Sequence, residues 1–157
     1  MPHISINGDL YFEDFSIGDE LSLGPYHVKR AEVLEFNQKW DHLPIHIDPK
    51  KAAERGYKDV TASGQYTLCI KQWMLNQASW TKAVIGALGF DEMRFPLPVY
   101  PDDHIRLKIE CLNTRLSNSK PDRGILTFFF QLINQEDKVV LHYKDTVMFA
   151  CREKCEK

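Results

Sequence analysis

The second half of the chain consists of consecutive segments with strand character, and this arrangement limits the fold more than any other feature. Residues 104–112 alternate between apolar and charged side chains, which is the period of a strand with one buried face. Turn-forming sequences at 118–124 and 134–138 separate this segment from two further apolar segments, 125–133 and 139–150. Strands joined by short turns pair with each other, so we expect an antiparallel sheet.

Three helices are predicted ahead of these strands. Residues 31–40 carry apolar side chains at helical spacing. Asp48 is a suitable N-cap for a short helix that ends before Gly56. Ser63 is a suitable N-cap for a longer helix over 64–77, which contains no Asp or Glu. The predicted apolar faces are formed by Val33, Phe36 and Trp40 in the first helix and by Tyr66, Cys69, Ile70, Trp73 and Met74 in the longest.

The order of these elements predicts an α+β fold. Residues 20–29 indicate a first strand that is interrupted at Gly24-Pro25, and the proline-rich region around Arg94 indicates an edge strand followed by a loop. Helices that are segregated from consecutive strands are typical of α+β proteins, and the helix over 64–77 is the element that the sheet would wrap. A length of 157 residues suits one domain over 1–157.

Composition and charge give no reason to expect nucleic acid or a membrane as partner. The net charge of -2 gives no general reason to expect nucleic acid or an anionic membrane as partner. No apolar run approaches the roughly 20 residues that a transmembrane helix needs. The first fifteen residues lack the basic and apolar regions of a secretory signal, so we expect a cytoplasmic protein.

The four cysteines, at positions 69, 111, 151 and 155, have no C-x2-C spacing. A chain of this size can bury a sufficient core without disulfides. We therefore expect four reduced thiols, with Cys69 and Cys111 as small core residues.

The stretch WDHLPIHIDP, residues 40–49, concentrates titratable side chains and allows three interpretations. His42 and His46 are four residues apart, as in some zinc sites, but Pro44 between them argues against the helix which that spacing requires. Charged loop residues are often simply solvated. Asp41 and His46 also form the carboxylate–imidazole combination that deprotonates a water and delivers a proton. The residues alone leave the loop and the acid/base site open.

The motif and its surroundings resemble the MaoC-like family of acyl dehydratases and R-specific enoyl-CoA hydratases. The family motif Asp-x-Asn-Pro-x-His-x-Asp is similar to the stretch that runs from Asp41 to Asp48, with Pro44 and His46 in register. The Ala-Ser-Gly sequence at 62–64 resembles the start of the family's central helix. YFEDFSIGDEL and FPLPVYPDDHIRLKIEC are also similar to family segments, so the resemblance covers nearly the whole chain.

This resemblance implies a hot-dog fold, in which a curved antiparallel sheet wraps a long central helix. It implies reversible addition of water to a trans-2-enoyl thioester, giving a (3R)-3-hydroxyacyl-CoA. Asp41 and His46 would hold and deprotonate the water, and the Gly64 N–H would stabilise charge on the thioester oxygen. Ser63 and Trp73 are the predicted substrate-binding residues. No metal or cofactor is expected, the CoA thioester being the substrate, and a homodimer or dimer-based oligomer is the expected assembly.

The chain departs from the family pattern at two positions. Leu43 replaces the Asn before the proline, and Gln72 lies near a position that carries serine in well-known hydratases. Two other functions therefore stay open. A hot-dog thioesterase is one, although such enzymes depend on an acidic residue in the central helix, and residues 64–77 contain none. A non-catalytic acyl-CoA-binding domain is the other.

Overall fold

A five-stranded antiparallel sheet packs against one long helix. The computed structural model describes residues 8–153. The strand order in the sheet is β1-β3-β4-β5-β2. After a short 3-10 helix at Phe12–Asp14, the elements are β1 (Glu20–His27), α1 (Arg30–Trp40), α2 (Pro44–Ile47), α3 (Pro49–Glu54), α4 (Gly64–Leu75), β2 (Val84–Arg94), β3 (His104–Leu116), β4 (Arg123–Ile133) and β5 (Val139–Ala150).

The predicted α+β class is confirmed by these elements. β1 contains the expected irregularity, since its pairing with β3 shifts between Leu23 and Tyr26. β2 is an edge strand, and within the described residues it pairs only with β5. That one domain spans 1–157 stays a prediction. None of the helices within 8–153 is long and apolar enough to cross a bilayer.

The core lies between α4 and the inner face of the sheet. In β3 the four alternating residues 105, 107, 109 and 111 are buried, as the period-two pattern predicts. Ile70 and Met74 of α4 are buried against this face. Burial of a side chain of this size contributes roughly 1.5–3 kcal/mol, so these contacts fix the position of α4 on the sheet.

Two local predictions in the helical region are wrong. The buried face of α1 is formed by Val33 and Asn37, whereas Trp40 is 67% exposed. The stretch from Asp41 to His46, where we expect a non-helical link because of Pro44, becomes helical at Pro44, and residues 44–47 form α2. Leu43 is extended, as expected for a residue before proline, but Pro44 occupies the first helical position, where its missing N–H costs nothing.

The cysteine predictions hold only in part. Cys111 is buried and free, but Cys69 is exposed, because its side of α4 faces away from the sheet. Cys151, at the end of β5, is disulfide-bonded, so the expectation of four reduced thiols is wrong there. A core large enough to fold without disulfides does not exclude one. Cys155 lies outside the described residues.

The side chain of Asn37 joins three segments that lie between β1 and β2 in the chain. It is completely buried in α1. Its amide nitrogen donates to the carbonyl oxygen of His46 at 2.9 Å and to that of Thr61 at 3.2 Å. Its amide oxygen accepts the backbone N–H of Ser63 at 3.2 Å. One amide group therefore sets the relative positions of α1, α2 and the start of α4.

α4 also carries a lysine on its buried side. Lys71 is 5% exposed, and burial lowers the pKa of its ammonium group. Asp145 of β5 is buried nearby, and burial raises the pKa of its carboxyl group to about 6, although the positive charge of Lys71 acts in the opposite direction. Tyr143 is the other titratable group close to Asp145, and burial raises its pKa.

We expect Asn37→Asp to destabilise the fold by roughly 2–5 kcal/mol. The carboxylate keeps the shape and can still accept from Ser63, but it cannot donate to the two carbonyl groups. The free energy of unfolding, measured by urea denaturation, checks this. The exposed Asn113 of β3 provides a matched control, because Asn113→Asp adds the same charge without burying it. Equal stability of the two variants would contradict the role of Asn37.

Ionisation of Asp145 makes stability depend on pH. The pKa is 3.8 for the ordinary group and about 6 in the fold, so the unfolded chain loses this proton first and stability falls as pH rises through this interval. A shift of two pKa units corresponds to roughly 3 kcal/mol. We expect the stability of the wild type relative to Asp145→Asn to fall by roughly 2–3 kcal/mol between pH 4 and pH 7. Urea denaturation across that range would contradict this if the difference were constant.

Candidate active site

His46 is held in one orientation by the segment before α4. It lies in α2 and is 8% exposed. Its ring Nδ1 is 2.7 Å from the carbonyl oxygen of Thr61 and 2.9 Å from the Thr61 hydroxyl. A carbonyl oxygen only accepts, so Nδ1 carries the proton that is donated to it. In the neutral ring Nε2 is then the unprotonated nitrogen, which can accept a proton.

Asp41 faces this nitrogen from the end of α1. Its Oδ2 is 3.4 Å from His46 Nε2. The Ser63 hydroxyl donates to the same oxygen at 2.6 Å, which restrains the carboxylate. Because a carboxylate oxygen and an unprotonated imidazole nitrogen both accept, a water molecule can donate one hydrogen to each. The pair is therefore arranged to bind a water rather than to bond directly.

The N-terminus of α4 adjoins this pair. Ser63 is its N-cap, as predicted, and its hydroxyl oxygen accepts the backbone N–H of Gln65 at 3.2 Å. The N–H of Gly64 belongs to the first turn, where helix donors have no intrahelical acceptor, and within 8–153 it makes no hydrogen bond. The positive end of the helix dipole lies at the same place. This end of α4 can therefore stabilise an oxygen that gains negative charge.

Gly64 leaves room for a neighbouring aromatic ring. A Cβ at this position would lie 2.9 Å from the ring of Phe95, closer than real Cβ contacts come. A glycine lets another group approach the backbone closely, because no side chain blocks the way. The close approach in the structure is that of Phe95, which follows β2 and is 49% exposed.

A cavity of about 450 Å³ adjoins His46 and the start of α4. It is lined by His46 and Gly64 together with residues from α4, the loop after β2 and the start of β5. Asp41 contacts His46 beside the cavity without lining it. We call this space the first cavity; its other walls include Thr67, Phe95, Val99 and Val140.

The structure separates the predicted site residues into two groups. Asp41, His46, Ser63 and Gly64 lie together, although Ser63 is fully buried and bonded to Asp41, so in this chain it positions the carboxylate. Trp73 lies apart, in a groove that it lines with Tyr26, Glu32 and Tyr66 among others. The catalytic and substrate-binding roles of all five residues stay predictions.

The other titratable residues of the stretch 40–49 have structural or surface positions. The Asp48 carboxylate accepts from the N–H groups of Lys50 and Lys51 at 2.8 and 3.4 Å, which confirms it as the N-cap of α3. His42 is exposed. No group of three or more His, Cys, Asp or Glu within 8–153 is arranged to hold a metal ion.

Sequence reasoning missed two residues that orient the site, Asn37 and Thr61. Asn37 falls on the buried stripe of α1, one turn after Val33, and a polar residue on such a stripe is itself a signal, because buried polar groups need partners. Thr61 carries no such signal in the sequence. It contacts His46 only because the folded chain brings together two residues that are fifteen positions apart.

Comparison with known proteins identifies a matching family and similar sequences. A family model described as MaoC like domain matches residues 14–125. The Bacillus subtilis protein YdeM, whose function is uncharacterized, is 27% identical over 87% of this chain and 96% of its own length. Mesaconyl-CoA hydratase from Haloarcula hispanica is 26% identical over 91% of this chain, which spans only 40% of that protein.

A solved structure extends the comparison to the fold. The crystal structure of the MaoC-like dehydratase from Rhodospirillum rubrum is 27% identical to this chain and superposes with a TM-score of 0.85. The match covers 92% of this chain and 99% of that protein. The predicted hot-dog fold is thereby confirmed. The family match over most of the sequence and the agreement of the folds together show that this chain belongs to the MaoC-like domain family.

Proposed function

We propose that the chain is a hydro-lyase that adds water reversibly to a trans-2-enoyl thioester, giving a (3R)-3-hydroxyacyl thioester. The observation that carries the proposal is the 3.4 Å approach of Asp41 Oδ2 to His46 Nε2 beside the N-terminus of α4. The family supports this reaction class, and the name of the Haloarcula hispanica relative supports a CoA thioester as substrate.

His46 is the proton acceptor in the proposed reaction. The bound water forms a bond from its oxygen to C3 while one of its O–H bonds breaks, and that proton moves to His46 Nε2. The electron pair of the C2=C3 bond moves through C2 towards the thioester oxygen. The proton then passes from His46 to C2, so that the ring is neutral again and one water has been added.

Asp41 orients the water and stabilises the charged ring. Its carboxylate cannot rotate freely, because Ser63 donates to the oxygen that faces His46. During the reaction the imidazole becomes positive, and a carboxylate 3.4 Å away stabilises that charge. Thr61 accepts from Nδ1 in both charge states, so the ring keeps its orientation throughout.

The N-terminus of α4 stabilises the enolate. Negative charge develops on the thioester oxygen as water attacks, and a free backbone donor at a helix N-terminus is suited to bind it. The Gly64 N–H is such a donor, and Gly64 lines the first cavity together with His46. The thioester would therefore lie between the ring of His46 and the first turn of α4.

The partner of this chain in the proposed assembly is a second copy. β2 is an edge strand, and the side of it that does not pair with β5 is open. Several of its large apolar side chains are 40–52% exposed, which is unusual for a free sheet edge. These residues are Val84, Ile85, Leu88 and Phe90. A homodimer in which β2 strands meet would cover them.

The catalytic roles are tested by Asp41→Asn and His46→Gln. Proton transfer by a positioned side chain contributes roughly 10²- to 10⁴-fold, so we expect each variant to lower kcat/KM by at least about 100-fold. The assay follows loss of the enoyl-thioester absorbance with a panel of trans-2-enoyl-CoAs. Each variant is first shown to be folded by its melting curve.

The same motif supplies matched controls. His42→Gln and Asp48→Asn make the same chemical changes outside the proposed site, and both should keep kcat/KM within about threefold of wild type; Asn at position 48 still caps α3. Near-wild-type rates for Asp41→Asn or His46→Gln would contradict the mechanism. Release of free CoA from saturated acyl-CoA would show a thioesterase instead.

The assembly is tested by Leu88→Lys, which places a charge in the middle of the proposed interface. We expect the wild type to be a dimer and the variant a monomer by size-exclusion chromatography with light scattering. Ile17→Lys is the control, because Ile17 is also exposed but lies outside the sheet. A monomeric wild type, or a dimer that survives Leu88→Lys, would contradict the proposed interface.

A further inference from the structure

A second cavity, of about 280 Å³, lies further along α4. Its walls are mainly apolar and include several aromatic rings, and they also contain the buried lysine of α4 and the buried aspartate of β5. An engineered apolar cavity of about 150 Å³ binds benzene, so this space can hold a ring or a folded chain. The lining residues used below are Lys71, Phe90, Phe130 and Asp145.

The lysine and the aspartate of this cavity have unused hydrogen-bonding capacity. Asp145 Oδ1 is buried and makes no hydrogen bond within 8–153. The ammonium group of Lys71 lies 5.4 Å from the ring centroid of Phe90 and 5.9 Å from that of Phe130. The ammonium group donates one hydrogen bond, to Gln72 Oε1 at 3.2 Å. Its other two N–H donors have no hydrogen-bond acceptor within the described chain. Buried polar atoms without partners are rare in folded proteins and indicate a missing ligand or water.

The second cavity follows the first along one face of α4. Gly64 and Thr67 line the first cavity, and Lys71 lines the second, at spacings of three and four residues. β5 shows the same order, since Val140 lines the first cavity and Asp145 the second. Seven residues of helix correspond to about 10 Å between Gly64 and Lys71.

We propose that the second cavity binds the distal end of the acyl group, and that Lys71 and Asp145 bind a neutral hydroxyl group at that end. This inference rests on the proposed function, because it takes the thioester to lie at Gly64. With C–C bonds of about 1.5 Å, an extended eight-carbon chain spans roughly 9 Å. A hydroxyl at the end of such a chain would reach Lys71.

A hydroxyl group matches this pair better than other chain ends. It can donate to Asp145 Oδ1 and accept from Lys71 Nζ at the same time. A methyl end would leave both polar groups without partners. A carboxylate would accept from Lys71 but would meet the negative charge of Asp145, and it has no proton to donate. The aromatic walls suit the apolar chain that carries the hydroxyl.

The inference is tested with three unreactive probes that differ at one end: octanoyl-CoA, 8-hydroxyoctanoyl-CoA and the CoA monothioester of octanedioic acid. Binding is measured by isothermal titration calorimetry. We expect wild type to bind the hydroxyl probe at least about 10-fold more tightly than the methyl probe, because a site that hydrogen-bonds a hydroxyl discriminates against its absence. The carboxylate probe should bind more weakly than the hydroxyl probe.

Variants assign the preference to the pair. Lys71→Met keeps a similar volume and Asp145→Leu keeps the branching at Cγ, and each removes one polar group, so each should reduce the hydroxyl preference to less than about threefold. The double variant leaves no unpaired charge and keeps the test available if a single variant fails to fold. Asn76→Ala, another polar residue that lines the same cavity, is the control and should keep the preference.

Each result bears on one proposal. Equal binding of the hydroxyl and methyl probes to wild type, or tightest binding of the carboxylate probe, would overturn the inference. A preference that survives the double variant would overturn it too. Because the probes have no double bond, their binding does not depend on turnover. Hydration of enoyl-CoAs without a hydroxyl preference would overturn this inference alone, whereas a hydroxyl preference without hydration would overturn the proposed reaction alone.

Discussion

The arrangement of the site depends on one buried amide. Asn37 donates to the carbonyl groups of His46 and Thr61 and accepts from the N–H of Ser63. These three residues carry, in turn, the proposed proton acceptor, the group that orients its ring and the cap of α4. The 3.4 Å separation of Asp41 and His46 therefore depends in part on a side chain that contacts neither of their functional groups.

The fold could largely be predicted from local patterns because the strands are half-buried and the turns between them are short. Alternation in β3 and the capping residues Asp48 and Ser63 each specify a local conformation that the tertiary structure does not override. The errors fall where packing decides between two locally acceptable conformations. Trp40 fits an apolar stripe by spacing, but the sheet lies on the side of Val33 and Asn37.

The site could be predicted as a set of residues but not as a geometry. The Asp41–His46 motif and the start of α4 can be recognised in sequence, and the structure does bring them together. What sequence could not supply are contacts between segments that are far apart in the chain. The contact of Phe95 with Gly64 and the pairing of Thr61 with His46 belong to this kind. Lys71 was included in the predicted helix, but nothing in the sequence shows that its face is the buried one.

The contact between Phe95 and Gly64 links the edge of the sheet to the start of the helix. The ring follows directly after β2, the strand with the open edge, and it fills the space that a side chain at position 64 would need. A displacement of the end of β2 would therefore move the ring that borders the Gly64 donor. The geometry around the proposed oxyanion site therefore depends on what contacts the edge of the sheet.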